Sequence, residues 1–238
     1  MLTLNFQHAY TFLITPFIVV WLLLYIFGRR TRREQLVISL LFTPIGPLSE
    51  ILHFYDYWKP ASILSFNIGT VSIFIEDLVF AFCIAGIGSV IHEVITGNIC
   101  FERNYPKRRL TSVIIFAIAG AATLSLFLLG LNSIFAFSVG FLITAFLMIS
   151  KRKDLFLNSL IGGFALASIM FISYLIVFKM TLNYDEIFKM GWLLYGTPLD
   201  IRILGIPLTE MIWAFTGGMA IGPFYEFWNG LECKRQNH

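Results

Sequence analysis

Residues Ile75 to Gly97 read IEDLVFAFCIAGIGSVIHEVITG, and Leu208 to Gly230 read LTEMIWAFTGGMAIGPFYEFWNG. Laid together without gaps, at a constant shift of 133 residues, they pair Asp77 with Glu210, Ala81 with Ala214, Phe82 with Phe215, Glu93 with Glu226 and Gly97 with Gly230. Each run has about the length that crosses the hydrocarbon of a bilayer as a helix. Chance seldom matches acids at both ends of such a run, so the pair reads as one membrane helix present twice. Upstream, RREQLVISLL from Arg32 resembles KRKDLFLNSL from Lys151, so each copy begins with a basic loop.

The rest of the chain agrees with a membrane solvent. Of its 238 residues, 58% are hydrophobic and 13% charged, against about a quarter charged in soluble domains. Mean hydropathy is +0.80. Seven apolar stretches qualify as spans: about 8–28, 35–54, 69–95, 110–130, 132–150, 154–178 and 202–228. The fold class expected is an all-α polytopic bundle of about seven transmembrane helices with two parallel three-helix repeats. Residues 1–100 form the first repeat, 101–131 a connecting transmembrane helix and 132–238 the second repeat. Because four spans separate the copies, both enter the membrane in the same direction, which implies a pseudo-twofold axis along its normal and a site between the copies. Pro16, Pro44, Pro47, Pro207 and Pro223 fall inside spans and predict kinks. The opening MLTLNFQHAY lacks the basic leader of a signal peptide, so the first helix is expected to be retained.

Counting Lys and Arg loop by loop puts 13 on one side of these spans and 4 on the other. Basic loops stay in the cytoplasm, which predicts a multi-pass cell-membrane protein with its N-terminus outside and its C-terminus cytoplasmic. The net charge of +3 is then a topology signal and not a nucleic-acid surface. Cys83, Cys100 and Cys233 have neither metal-ligand spacing nor an even framework, so all three read as packing or loop residues, and no metal or cofactor is expected.

Ionisable groups inside apolar helices need a partner or a purpose. Here they are Glu50, Glu76, Asp77 and Glu210. With helices starting near Gly69 and Ile203, Glu76 and Glu210 lie about 10 Å below the outer boundary, and Glu50 about 6 Å below Phe54. No Lys, Arg or His is expected at that level to pair with them. A carboxyl left unpaired in low dielectric keeps its proton and can act as a general acid. Glu76 and Asp77 point about 100° apart, so one faces a site and the other bonds a neighbouring helix. His92, Glu93 and Glu226, at the cytoplasmic helix ends, read as solvated or loop-bonded. Tyr57, Trp58, Trp192 and Tyr195 read first as an interfacial aromatic belt. The 25 phenylalanines suit lipid packing, or a slot whose ring faces stabilise a carbocation. Gly86, Gly88, Gly217, Gly218 and Gly222 read as close helix contacts.

Two segments carry a family resemblance. Asp56 to Phe82, DYWKPASILSFNIGTVSIFIEDLVFAF, contains Trp58, Glu76, Asp77 and Phe80; Trp192 to Phe215, WLLYGTPLDIRILGIPLTEMIWAF, contains Trp192, Pro207 and Glu210. Each resembles the repeat of the membrane-embedded lycopene cyclase family, in which a Trp is followed by a Pro-x-Glu-Glu-x-x-Phe-like signature opening a helix. Phe74 stands for the proline in the first copy, and Thr209 and Trp213 stand for an acid and the aromatic in the second.

The resemblance implies redox-neutral cyclisation of a lycopene-like end group to a β-ionone ring inside the membrane. Catalytic candidates are Glu76, Asp77, Glu210 and Glu50, and substrate-binding candidates are Trp58, Phe80, Trp192 and Trp213. The implied partners are a hydrophobic polyene or isoprenoid substrate and the lipid bilayer, with no nucleic acid. Hydration through the same carbocation, a proton-coupled transporter and a purely structural role for the acids are the alternatives.

Overall fold

The computed structural model describes residues 3–62, 64–68 and 71–235. It is an all-α polytopic membrane bundle. Its elements are α1 (Phe6–Phe27), α2 (Arg32–Phe42), α3 (Ile45–Asp56), β1 (Ser65–Ile68), β2 (Val71–Phe74), α4 (Ile75–Thr96), β3 (Asn98–Arg103), α5 (Arg109–Leu128) and α6 (Ser133–Lys151). After a 3₁₀ turn follow α7 (Phe156–Met180), α8 (Tyr184–Gly191), β4 (Arg202–Ile203), β5 (Ile206–Pro207), α9 (Leu208–Ile221), α10 (Phe224–Asn229) and β6 (Leu231–Arg235).

Among the described residues, five helices are long and apolar enough to cross a membrane, or six if α2 and α3 form one span bent by 45°. That bend follows from Pro44, which has no N–H to continue the ladder. The stretch 202–228 is likewise interrupted, with α9 ending at Ile221 and α10 resuming after Gly222 and Pro223.

The three-helix arrangement recurs. α4 packs on α1, α2 and α3, as α9 packs on α6 and α7, and the two groups meet where α4 touches α7 and α9. Small residues set the closest approach. A Cβ on Gly162 would stand 2.9 Å from the Gly218 carbonyl oxygen, and one on Gly86 2.2 Å from Ser39 Oγ. The central cluster is apolar and aromatic, built on Phe17, Ile84, Ile87, Leu166, Met170 and Tyr174, while large apolar side chains such as Leu110, Leu128, Phe146 and Phe164 stay exposed. That outward-facing apolar surface is what a lipid-facing bundle presents.

Two helix starts differ from expectation. The expected start of the third span at Gly69 lies outside the described residues, and α4 begins at Ile75 because Val71–Phe74 pairs antiparallel with Ser65–Ile68. The second copy is similar: Arg202–Ile203 pairs with Ile206–Pro207, and α9 begins at Leu208. Leu204 and Gly205, at φ 53° and 86°, make the two-residue turn between them, the backbone required by a tight hairpin. Glu76, Asp77 and Glu210 therefore occupy the first turns of their helices and not a depth two turns in.

Candidate functional site

Asp77 and Glu210 line one cavity from opposite repeats. One phenol holds Asp77 and two hold Glu210. The Tyr10 hydroxyl of α1 donates to Asp77 Oδ1 at 2.8 Å, while the Phe74 N–H donates to Asp77 Oδ2 at 3.0 Å and fixes the carboxyl at the helix start. Tyr174 of α7 donates to Glu210 Oε2 at 3.0 Å, and Tyr57, just beyond α3, donates to Glu210 Oε1 across the repeat boundary. Glu50 lines the same cavity, 5% exposed, and its Oε1 has no hydrogen-bond partner among the described residues.

Glu76 points elsewhere. Thr11 donates to its Oε1 at 2.7 Å and Ser62 to its Oε2 at 2.5 Å, so its carboxyl ties α1 and the 57–62 segment to α4. Glu76→Gln is expected to spare the cavity but to weaken that tie by about 1 kcal/mol. A thermal melt in detergent beside that of the parent protein checks it.

The walls are aromatic. Trp58, Phe80, Trp192 and Trp213 all line the cavity. Phe80 and Trp213, one from each repeat, stack at 5.9 Å and 23°, with Phe141 set edge-on to Trp213 at 5.9 Å. The belt reading of Tyr57 and Trp192 is corrected, because they are 4% and 2% exposed. They are buried because Trp58 and Trp192 form a β-bridge between the repeats, with Lys59 N–H donating to the Gly191 carbonyl at 2.7 Å and Leu193 N–H to that of Tyr57 at 3.0 Å.

The expectation of no His at this level is also corrected. His53 lies one turn after Glu50, lines the cavity and meets Ser133 Oγ at 2.7 Å. Tyr10, Tyr57, Tyr174 and His53 are the site residues that sequence reasoning missed. The spacing from Glu50 could have flagged His53, whereas the tyrosines share no local pattern.

A polar cap covers this end. The Arg202 guanidinium lies 4.5–5.0 Å from the ring centres of Phe188, Trp192 and Tyr195, and donates to Asp200 at 2.6 and 3.0 Å. Slight burial raises the Asp200 carboxyl, but bonds from Arg202 and the Gly196 N–H outweigh it and hold the group below its usual range. A depressed folded value means the cap's contribution is present above the unfolded pKa of about 3.9 and is lost only as pH falls through the lower folded value. Trp192 fluorescence is expected to stay flat down to about pH 4 and to change below it, with Asp200→Asn abolishing the transition.

At the opposite, basic end of the bundle His92, Glu93 and Glu226, read as solvated or loop-bonded, are not solvated, being 0%, 6% and 0% exposed, while Glu93 is bonded to the segment after its helix through the Cys100 N–H. Strands β3 and β6, each following its repeat's last helix, pair antiparallel over them. Cys100 and Cys233 are direct partners in that register and are joined by a disulfide, so neither is a bare loop residue. Their separation is 133 residues, the repeat shift itself. That coincidence was the available signal.

Compared with known families, residues 7–95 and 132–228 match the family described as lycopene cyclase. No curated protein and no solved structure matches the chain.

Proposed function

The chain belongs to the lycopene cyclase family, and from that premise we propose that it closes a β-ionone ring on a linear carotenoid by acid catalysis between Asp77 and Glu210. The observation that carries this reading is the meeting of two repeat-equivalent acids, Asp77 and Glu210, in one aromatic-walled cavity. One carboxyl gives its proton to the terminal double bond of the polyene, leaving a tertiary carbocation. A neighbouring double bond attacks that cation and closes a six-membered ring. The other carboxyl then takes a ring proton, so atoms and charge balance with no redox step, and the reaction is an isomerisation.

Each part of the cavity has a role in this scheme. The phenols of Tyr10, Tyr57 and Tyr174 aim the carboxyl oxygens and hold their geometry. Glu50, with a free Oε1, assists proton exchange between the two acids. The stacked faces of Phe80 and Trp213 stabilise the passing cation, worth about 2 kcal/mol when water is excluded. Trp58 and Trp192 close the end of the slot and keep water from capturing the cation. Glu76 is a positioning residue.

The architecture proposed is two copies, residues 1–100 and 132–238, joined by a connecting helix in 101–131. The unmatched interval between the two family segments contains α5, which supports it. The proposed orientation places the acids near the outer leaflet and the C-terminus in the cytoplasm, on the 13-to-4 distribution of basic residues.

Expression in a lycopene-accumulating bacterium tests the reading. A cyclised pigment of unchanged mass is the expected product. A product heavier by one water would replace cyclisation with hydration, and unchanged lycopene beside well-expressed protein would overturn both.

A further inference from the structure

The buried cluster at the basic end faces a different chemistry from the cavity, and nothing in the cyclisation scheme uses it. One ligand-type atom from each of His92, Glu93, Cys100, Glu226 and Cys233 lies within 4.8 Å of all the others. His92 Nε2 stands 3.0 Å from Glu226 Oε1, and Cys233 Sγ is 3.8 Å from that same oxygen. Among the described residues, Glu226 Oε2 and Glu34 Oε1 are buried without a hydrogen-bond partner. Two further details tie the cluster to the strands above it: Glu93 Oε1 accepts the Cys100 N–H at 3.1 Å, and Asn158 Nδ2 approaches Cys233 Sγ at 3.2 Å.

We propose that Cys100, Cys233, His92 and Glu226 form a zinc site in the reduced protein, bridging the two repeats on their pseudo-twofold axis. Two thiolates, one imidazole and one carboxylate suit a borderline-soft d¹⁰ ion, and four ligands close a tetrahedral structural site. Bond lengths of about 2.0–2.3 Å place such ligand atoms roughly 3.5 Å apart; His92 and Cys233 already stand 3.0 and 3.8 Å from Glu226 Oε1, and the two sulfurs, bonded to each other here, part on reduction. Direct cross-strand partners share one face of a β-ribbon, so the sulfurs stay side by side when their bond opens. Glu93 serves from outside, orienting β3 through the Cys100 amide. A dication also neutralises two thiolates and gives the buried Glu226 Oε2 a partner, which no donor among the described residues does.

The disulfide is the oxidised form of the same pair. Thiols at a cytoplasmic membrane face are kept reduced. A cellular dithiol delivers two electrons and two protons to the S–S bond and leaves as its own disulfide; Zn²⁺ then displaces both thiol protons. The site lies at the other end of the bundle from the acids, so its presence and the cyclase reading stand or fall separately.

The test uses the full chain purified in mild detergent under a dithiol reductant. Mass spectrometry of metals is expected to find about one zinc per chain, falling at least tenfold in Cys100→Ser/Cys233→Ser and in His92→Ala. On the unmodified protein, stripped and titrated with Co²⁺, thiolate-to-cobalt absorption is expected to saturate at one equivalent and to be bleached by Zn²⁺. This titration needs no variant to fold. Zinc no higher than in the double variant, together with reduced thiols and no cobalt band, would overturn the proposal. So would alkylation in intact cells that leaves Cys100 and Cys233 unlabelled until reductant is added.

Discussion

Replacing either cavity acid by its amide, Asp77→Asn or Glu210→Gln, is expected to lower lycopene conversion by about 10²–10⁴-fold, the range a positioned general acid or base supplies. The amides keep the shape: each amide oxygen still accepts from one of its two donors, and the amide NH2 can donate to the phenol oxygen of Tyr10 in Asp77→Asn or of Tyr57 or Tyr174 in Glu210→Gln, so the bundle should survive and the loss should be chemical. Each variant is scored by pigment analysis per unit of folded, membrane-extracted protein. The double variant is expected to be little worse than either single one, because proton delivery and removal are steps of one sequence. If both variants convert lycopene at the parental rate, the acids are structural and the scheme fails. Phe substitution of Tyr174 or Tyr57 separates aim from acidity, since it leaves Glu210 in place and should cost less than Glu210→Gln.

The second effect concerns the bundle. A Cβ on Gly218 would stand 2.4 Å from the Gly162 carbonyl oxygen and 2.9 Å from Gly163 Cα, all backbone that cannot step aside unless α7 moves away from α9. Gly218→Leu is expected to cost about 1–3 kcal/mol or more through overpacking, roughly 2–12 °C in melting temperature for a chain of this size. Gly120→Leu is the control. A Cβ there meets nothing within 4 Å, so its melt should overlay the parent. Size-exclusion chromatography after stepwise heating reads both, and equal melts would remove the close α7–α9 contact from the account of stability.

Much of this was legible beforehand, for identifiable reasons. Five of the seven expected spans, the repeats and the pairing of Asp77 with Glu210 follow from hydropathy and a constant shift, whereas 35–54 is a bent pair of helices and 202–228 is interrupted. Trp58, Phe80, Trp192 and Trp213 were named through the repeat signature, and all four line the cavity. The helix starts were misplaced because residues 71–74, VSIF, read equally as the end of an apolar helix or as a short strand; only the partner strand at 65–68 decides. Tyr10, Tyr57 and Tyr174 come from three separate elements, and nothing local in the sequence announces that they converge on two carboxyls. The same holds for the far cluster, where acids at helix ends look solvated until strands from both copies are seen to cover them.

Those strands have a partner in the Trp58–Trp192 bridge at the other extremity, and both links join the first copy to the second. Two blades riveted at top and bottom can bow outward between the rivets, but neither extremity can gape alone. Alternate opening at either end would have to break backbone pairing between the copies, so on the cyclase reading proposed above a long polyene is expected to enter sideways from among the acyl chains.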